Sequence, residues 1–292
     1  MQYGISILLS GISLGGQYAL IAIGYTMVYG ILRLINFAHG DIFMMAGFFM
    51  VYISASMPMA VAIPVVLIMT VALGLLIERA AYKPLRSAPR MSVMISAIGV
   101  SYLLQNLATY ITGGLARPYP EIPFLKGTFM LGALKIKIIT VVTPLLTILL
   151  VIALVLFINH TKTGMAMRAV SRDFDTARLM GIKVNNIISV TFIIGSFLAG
   201  VGSILYFSNY GQVSPTIGAM PGLKAFVAAV FGGIGSIPGA VLGAYIIGIC
   251  ESLIKANDAI AIFSNAFTFA LLILVLLFKP NGMFGEKLAE KV

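Results

Sequence analysis

HTKTGMAMRAVSRDFDTARLMGIKVNN, residues 160–186, is the most polar long interval in a chain that is otherwise strongly apolar. A stretch of this polarity lies in water. Lys162, Arg168, Arg172, Arg178 and Lys183 outnumber Asp173 and Asp175, and a basic loop between two apolar spans is retained on the cytoplasmic side. The interval also carries helix signals of its own. Asp173 can cap a short helix over residues 174–180, and Gly181 supplies the left-handed residue beyond its end. Ala177 and Met180, with Met165, Ala166 and Ala169 before them, give the short helices small or soft apolar faces. Such faces dock, either onto a partner or onto the chain's own membrane domain.

Around that loop, 60% of the 292 residues are apolar and 10% are charged, and the mean hydropathy is +1.05. That is far too little polar surface for a soluble globule, so the fold class is an all-α polytopic membrane protein whose partner is the lipid bilayer. A net charge of +10 would suggest nucleic acid in a soluble protein. Here the basic residues sit in short loops, where they set topology and meet anionic headgroups, and no nucleic-acid partner is expected. The single cysteine, Cys250, rules out an intrachain disulfide, and His39 and His160 are too far apart in sequence to suggest a metal centre. No G-x-x-x-x-G-K-[ST] loop is present to cradle ATP phosphates, and no nucleophile–histidine–carboxylate spacing appears. The chain is read as no enzyme and as needing no cofactor. If ATP drives it, the ATPase is another subunit.

Hydropathy divides the chain into runs at 5–29, 42–56, 59–77, 92–111, 138–158, 187–207, 223–250 and 259–278. This is about eight transmembrane segments, two of them broken, in one transmembrane domain over 1–292 that includes the 160–186 loop. The first basic residue is Arg33, so the first run is a retained span with its N-terminus outside rather than a signal peptide. Gly11, Gly15, Gly16, Ala19 and Ala22 give it a small face for close helix packing. Lys83, Arg86 and Arg90 mark an inner loop, and 209–221 is an uncharged outer one. The interval 112–137 is placed outside by parity despite its positive charge, since longer loops obey the charge rule less strictly. Whether 223–250 crosses once or twice is open. If twice, Lys279, Lys287 and Lys291 lie inside.

Two interruptions stand out. GILRLINFAHGD, residues 30–41, puts Arg33, Asn36, His39 and Asp41 between two apolar runs, the second of them short for a full crossing. Ionisable groups at membrane depth pair or face a cavity, which makes them functional candidates. The plainer reading is a headgroup turn, with Arg33 on phosphate and Asp41 capping the next helix. FGGIGSIPG, residues 231–239, combines flexible glycines, a proline and a lone serine. Paired breaks are the pattern of a transporter built from two related halves, although glycine and proline are also simply commoner in membrane helices. Asn36, His39, Asp41, Gly232, Gly233, Gly235 and Ser236 are accordingly the candidates for a translocation path. Gln105 and Asn106 can bond a neighbouring helix or line a path, and Glu251 and Lys255 can pair at i, i+4.

Asp175-Thr176-Ala177, three residues and then Gly181 resembles the Glu-Ala-Ala-x-x-x-Gly signature of ABC importer permeases, with Asp-Thr in place of Glu-Ala. The longer strings GYTMVYGILRLINFAHGDIFMMAGF (24–48), TKTGMAMRAVSRDFDTARLMGI (161–182) and AAVFGGIGSIPGAVLGA (228–244) are very similar to LivH-type branched-chain amino-acid permeases, along essentially the whole chain. The resemblance implies an ABC importer permease fold in a bacterial plasma membrane. It also implies two cytoplasmic ATP-binding subunits, a second LivM-type permease as heterodimer partner and an external or periplasmic substrate-binding protein. On that reading Gly164, Arg168, Asp173, Asp175, Ala177, Arg178 and Gly181 belong to the coupling helix that meets the ATPase. Leucine, isoleucine and valine are the implied substrates; similar sequences serve urea, short amides or other amino acids. A rival from another class is an ion-driven carrier working alone, for which Asp41 is almost the sole candidate carboxylate. A channel or structural membrane protein is a third, and it leaves the capped basic loop without a role.

Overall fold

The computed structural model describes residues 2–86, 88–131, 134–279 and 281–284. Lys287 and Lys291 lie outside the described residues. Among the described residues, seven helices are long and apolar enough to cross a membrane: α1 (Gln2–Leu32), α3 (Met59–Ile77, continued by one π turn, Glu78–Tyr82), α4 (Arg90–Thr112), α5 (Ile138–His160), α8 (Val184–Tyr210), α10 (Ile237–Lys255) and α11 (Ser264–Phe278, preceded by a 3-10 turn). Two apolar helices are shorter, α2 (His39–Ser54) and α9 (Ala219–Gly232). At 1.5 Å per residue these reach roughly 24 and 21 Å, less than the ~30 Å hydrocarbon core. The remaining helices, α6 (Lys162–Arg172) and α7 (Phe174–Leu179), lie in the polar loop.

The middle of the molecule is made by α1 and α8, the two most buried of the long helices. Close approach explains why α1 is rich in small residues. A Cβ on Gly11 would fall 2.8 Å from the Ile249 Cα, and one on Gly15 would fall 2.7 Å from the Tyr245 Cα, so α1 and α10 touch backbone to backbone. α3, α4, α5 and α11 are peripheral and keep much of their apolar surface exposed, as suits lipid-facing or subunit-facing helices.

Short strands fix which loops share a side. β1 (Arg117–Pro118) pairs antiparallel with β4 (Gln212–Val213), which joins the 112–137 interval to the segment after α8. β2 (Thr128–Leu131) and β3 (Leu134–Lys137) form a hairpin inside that interval. At the opposite end, Arg33 Nη2 donates to the Ser171 carbonyl at 3.4 Å and Arg86 bonds Asn185. The basic loops thus cluster at one end and the β1–β4 pair marks the other.

α9 and α10 are antiparallel pieces joined by a turn in which Gly233 and Gly235 have φ of 106° and 100°. Met283 N–H bonds the Phe231 carbonyl at 2.9 Å, so the described C-terminal residues lie with this turn, on the side of the polar loop. Two details differ from the sequence reading. α9 begins at Ala219, not at 223, because Gly218 and Gly222 pack on Gly40 and draw the end of the expected outer loop inward. Asp41 is not a cap: the cap position of α2 is Ala38, and Asp41 lies buried in the first turn.

Candidate functional site

The polar loop folds as its sequence signals indicate. Thr161 Oγ1 accepts from Gly164 N–H at 3.0 Å to start α6. Asp173 Oδ1 accepts from the N–H groups of Asp175 and Thr176, at 2.9 and 3.0 Å, to start α7. Gly181 ends it with φ of 81°, and Ile182 N–H returns to the Ala177 carbonyl at 3.0 Å. Ala177 is buried, Arg178 pairs loosely with Asp175 at 3.6 Å, and Arg168 reaches Asn159 Oδ1 at 3.1 Å. Between α6 and α7 lies an apolar groove of about 510 Å³, lined by Met165, Ala166, Ala169, Ala177, Met180 and Ile182 with Lys162 and Arg172 at its rim. Beside it Leu179 and Met180 are 88% and 78% exposed.

This loop is bonded to the rest of the inner end. Arg86 contacts both Asn185 and the buried carboxylate of Glu78, and Ser189 donates to the other oxygen of Glu78 at 3.1 Å. Burial lowers the pKa of the Arg86 guanidinium, and the neighbouring Glu78 carboxylate opposes that shift. Glu78 opens the π turn that ends in Tyr82, and π turns inside helices are frequent at functional sites. The Tyr82 hydroxyl donates to Asn36 Oδ1 at 2.8 Å.

Asn36, His39 and Asp41 are all buried. Asn36 Oδ1 also accepts from Ala38 N–H at 3.1 Å and so shapes the entry to α2. The His39 ring fills the space a side chain on Gly24 would need, and Gly195 closes it from α8. Gly24 lies about 12 Å back from the end of α1, so the chain after Leu32 turns back into the membrane and starts α2 at depth. Asp41 Oδ1 accepts from Gln105 Nε2 of α4 at 3.0 Å. His39 Nε2 and Asn36 Nδ2 have no hydrogen-bond partner among the described residues. Buried polar atoms without partners are costly unless a ligand, water or second conformation satisfies them.

The second break has a different character. Ser236 Oγ accepts from Gly239 N–H at 3.2 Å and caps α10. Gly232 abuts Gly239, which leaves no room there for a side chain. A Cβ on Gly30 would lie 3.8 Å from the Gly235 Cα, so the two breaks meet at the inner end. At the other end of α9, a Cβ on Gly222 would lie 2.9 Å from the Gly40 Cα. The first turns of α2 and α9 therefore abut in the interior. Tyr82, Glu78 and Arg86 were not among the sequence-derived path or coupling residues, whereas Gln105, which stands out as a polar residue in an apolar helix, bonds Asp41 of a neighbouring helix.

The family model for the branched-chain amino acid transport system permease component matches residues 7–276. The chain belongs to this family. It is 41% identical over 301 residues to the high-affinity branched-chain amino acid transport system permease protein BraD of Pseudomonas aeruginosa, covering 98% of this chain and 97% of that one. It is 40% identical over 305 residues to LivH of Escherichia coli (strain K12), covering 99% and 98% of the two chains. A probable branched-chain amino acid permease of Methanocaldococcus jannaschii is 29% identical over 283 residues, covering 91% of this chain. As members of a permease family, the chain and its relatives are membrane components and not enzymes.

Proposed function

We propose that this chain is a transmembrane permease subunit of an ATP-driven importer that carries leucine, isoleucine and valine across a bacterial plasma membrane. It works as a single transmembrane domain with two cytoplasmic ATP-binding subunits, a LivM-type second permease and an external substrate-binding protein. The observation that carries the reading is a linkage from the end of the grooved polar loop and the start of α8, where Asn185 and Ser189 bond Arg86 and Glu78, along the π turn from Glu78 to Tyr82, to Asn36 just before α2. ATP-binding subunits that close on the groove and on Leu179 and Met180 move this linkage, and the α2 half-helix moves with it. Two arrangements of such a bonded network give alternating access when each partner favours one of them. Gly164, Arg168, Asp173, Asp175, Ala177, Arg178 and Gly181 shape the coupling loop. Asn36, His39 and Asp41 line the path, and Gly232, Gly233, Gly235 and Ser236 form the hinge where α9 meets α10.

The test is a mild-detergent pull-down of the tagged chain from its native membrane, followed by mass spectrometry. Recovery of ATP-binding subunits and a second permease supports the reading. Recovery of the chain alone, from membranes that still take up leucine through it, contradicts it.

A further inference from the structure

A pocket of about 140 Å³ opens between α2 and α4. Met45, Phe48, Phe49 and Tyr52 of α2 and Ala108 and Ile111 of α4 line it. Phe48 and Ala108 are buried and close its floor, while Tyr52 and Ile111 stand exposed at its mouth. Thr112, also in the wall, donates its hydroxyl to the Ala108 carbonyl at 2.8 Å, so the wall is apolar throughout. The pocket lies toward the outer end of both helices, because α4 runs into the 112–137 interval and α2 climbs outward from its start at depth. That is the side from which an imported substrate arrives.

The inner end of the same seam is polar. Asp41 is 2% exposed and accepts from Gln105 Nε2 of α4 at 3.0 Å, and the same Nε2 donates to Ser101 Oγ at 3.2 Å. Met45 follows Asp41 by four residues and Ala108 follows Gln105 by three, spacings that keep each pair on one helix face. The polar pair and the pocket are therefore neighbours, about 5 Å apart along the helices. Among the described residues Asp41 forms no ion pair. The first turn of α2 offsets part of the cost of this buried carboxylate, and a cation would complete it.

A carboxylate without a cation and an apolar pocket, one helical turn apart, match a molecule that carries an ammonium group beside a short apolar side chain. Size narrows the choice. A cavity of roughly 150 Å³ takes a benzene-sized group, so this pocket holds the side chain of leucine, isoleucine or valine and is too small for the length of a lipid chain. We propose that the pocket between α2 and α4 receives the branched side chain of the transported amino acid while Asp41 takes its ammonium group. Gln105 Nε2 is the adjacent donor for the carboxylate. The inference rests on the amino-acid import reading given above, in which α2 is the half-helix that moves; its motion opens and closes the pocket against α4.

The test uses the complete transporter in proteoliposomes, with its ATP-binding subunits, second permease and binding protein, and compares ATP-driven uptake of labelled leucine and valine. Ala108→Val narrows the pocket and leaves more room for valine than for leucine. The expected result is normal co-purification with the partners and a leucine-to-valine uptake ratio lowered about tenfold, the scale of one misfitting methylene. An unchanged ratio overturns the proposal and leaves the pocket to a lipid chain or to a side chain of the second permease. Asp41→Asn keeps an oxygen for the ammonium group, so uptake of both substrates is expected to fall together without being lost; unchanged uptake of both overturns the placing of the ammonium group. If Ala108→Val fails to assemble, the unaltered complex decides. A leucine analogue with a photoreactive diazirine in its side chain is delivered by the binding protein and illuminated during turnover. Label on residues 45–52 or 108–112 supports the proposal, and label confined to other segments of the transporter overturns it. No leucine uptake by the wild-type complex is a separate outcome that sinks the import reading and this inference with it.

Discussion

The Tyr82 hydroxyl donates to Asn36 Oδ1 at 2.8 Å, tying the end of the π turn after α3 to the polar break before α2. This is the narrowest point of the linkage between the cytoplasmic loop and the membrane interior. Asn36 Oδ1 keeps a second donor, Ala38 N–H, so losing the tyrosine bond loosens the break without orphaning the acceptor. Tyr82→Phe is expected to cost only about 1 kcal/mol in stability. It is also expected to raise the amount of ATP hydrolysed per leucine transported, read by measuring both in proteoliposomes. An unchanged ratio would remove Tyr82 from the coupling route.

Most of the Leu179 and Met180 side chains is exposed. Leu179→Ser with Met180→Ser should therefore leave thermal stability within about 0.5 kcal/mol. The same pair is expected to weaken capture of the ATP-binding subunits by about tenfold, as loss of exposed apolar anchors does at an interface. Pull-down titration reads the difference, and undiminished capture would place the contact elsewhere on the loop.

Gly181 has φ of 81°, a value closed to proline, and Ala177 is the buried residue of α7. Gly181→Pro and Ala177→Asp are each expected to abolish leucine uptake while the protein still inserts in the membrane. Uptake and membrane content of the tagged chain are the two readouts. Normal uptake in both variants would sink the coupling role of this loop.

Glu78 is buried and held by Arg86 and Ser189. Arg86→Met strands that carboxylate and is expected to destabilise the protein by roughly 3 kcal/mol, whereas Arg86→Met with Glu78→Gln recovers much of the loss. Thermal unfolding in detergent measures both. Equal destabilisation by the single and double variants would mean that the ion pair is not what holds the inner end together.

Much of the fold could be read from the sequence because membrane helices announce themselves through long apolar runs, and the loop's caps depend on residues a few positions apart. Asp173 and Gly181 do locally what they do in any helix. The pairing of Glu251 with Lys255 was legible for the same reason. What was not legible depends on distant segments. Tyr82 and Asn36 meet only once α3 has packed beside the break. Lys224 sits in a run apolar enough to hide one charge from a hydropathy average, and its partner, Glu251, is on the next helix. The start of α9 was set too late because Gly218 and Gly222 carry no hydrophobic signal; their contribution is the room they leave for Gly40. The interruption at 231–239 was visible, but its glycines and Ser236 shape a turn between two helices, which composition alone does not distinguish from a lining of the path.

The central claim is that ATP, acting through the cytoplasmic loop, drives amino acid across the membrane. Its most direct test is labelled leucine uptake by proteoliposomes holding the complete transporter, with and without ATP at the nucleotide-binding face, and with ionophores to collapse proton and sodium gradients. The account predicts uptake that requires ATP, survives the ionophores and persists in Asp41→Asn. Uptake that proceeds without ATP, stops when the gradients are collapsed and is lost in Asp41→Asn would contradict it and make the chain an ion-coupled carrier.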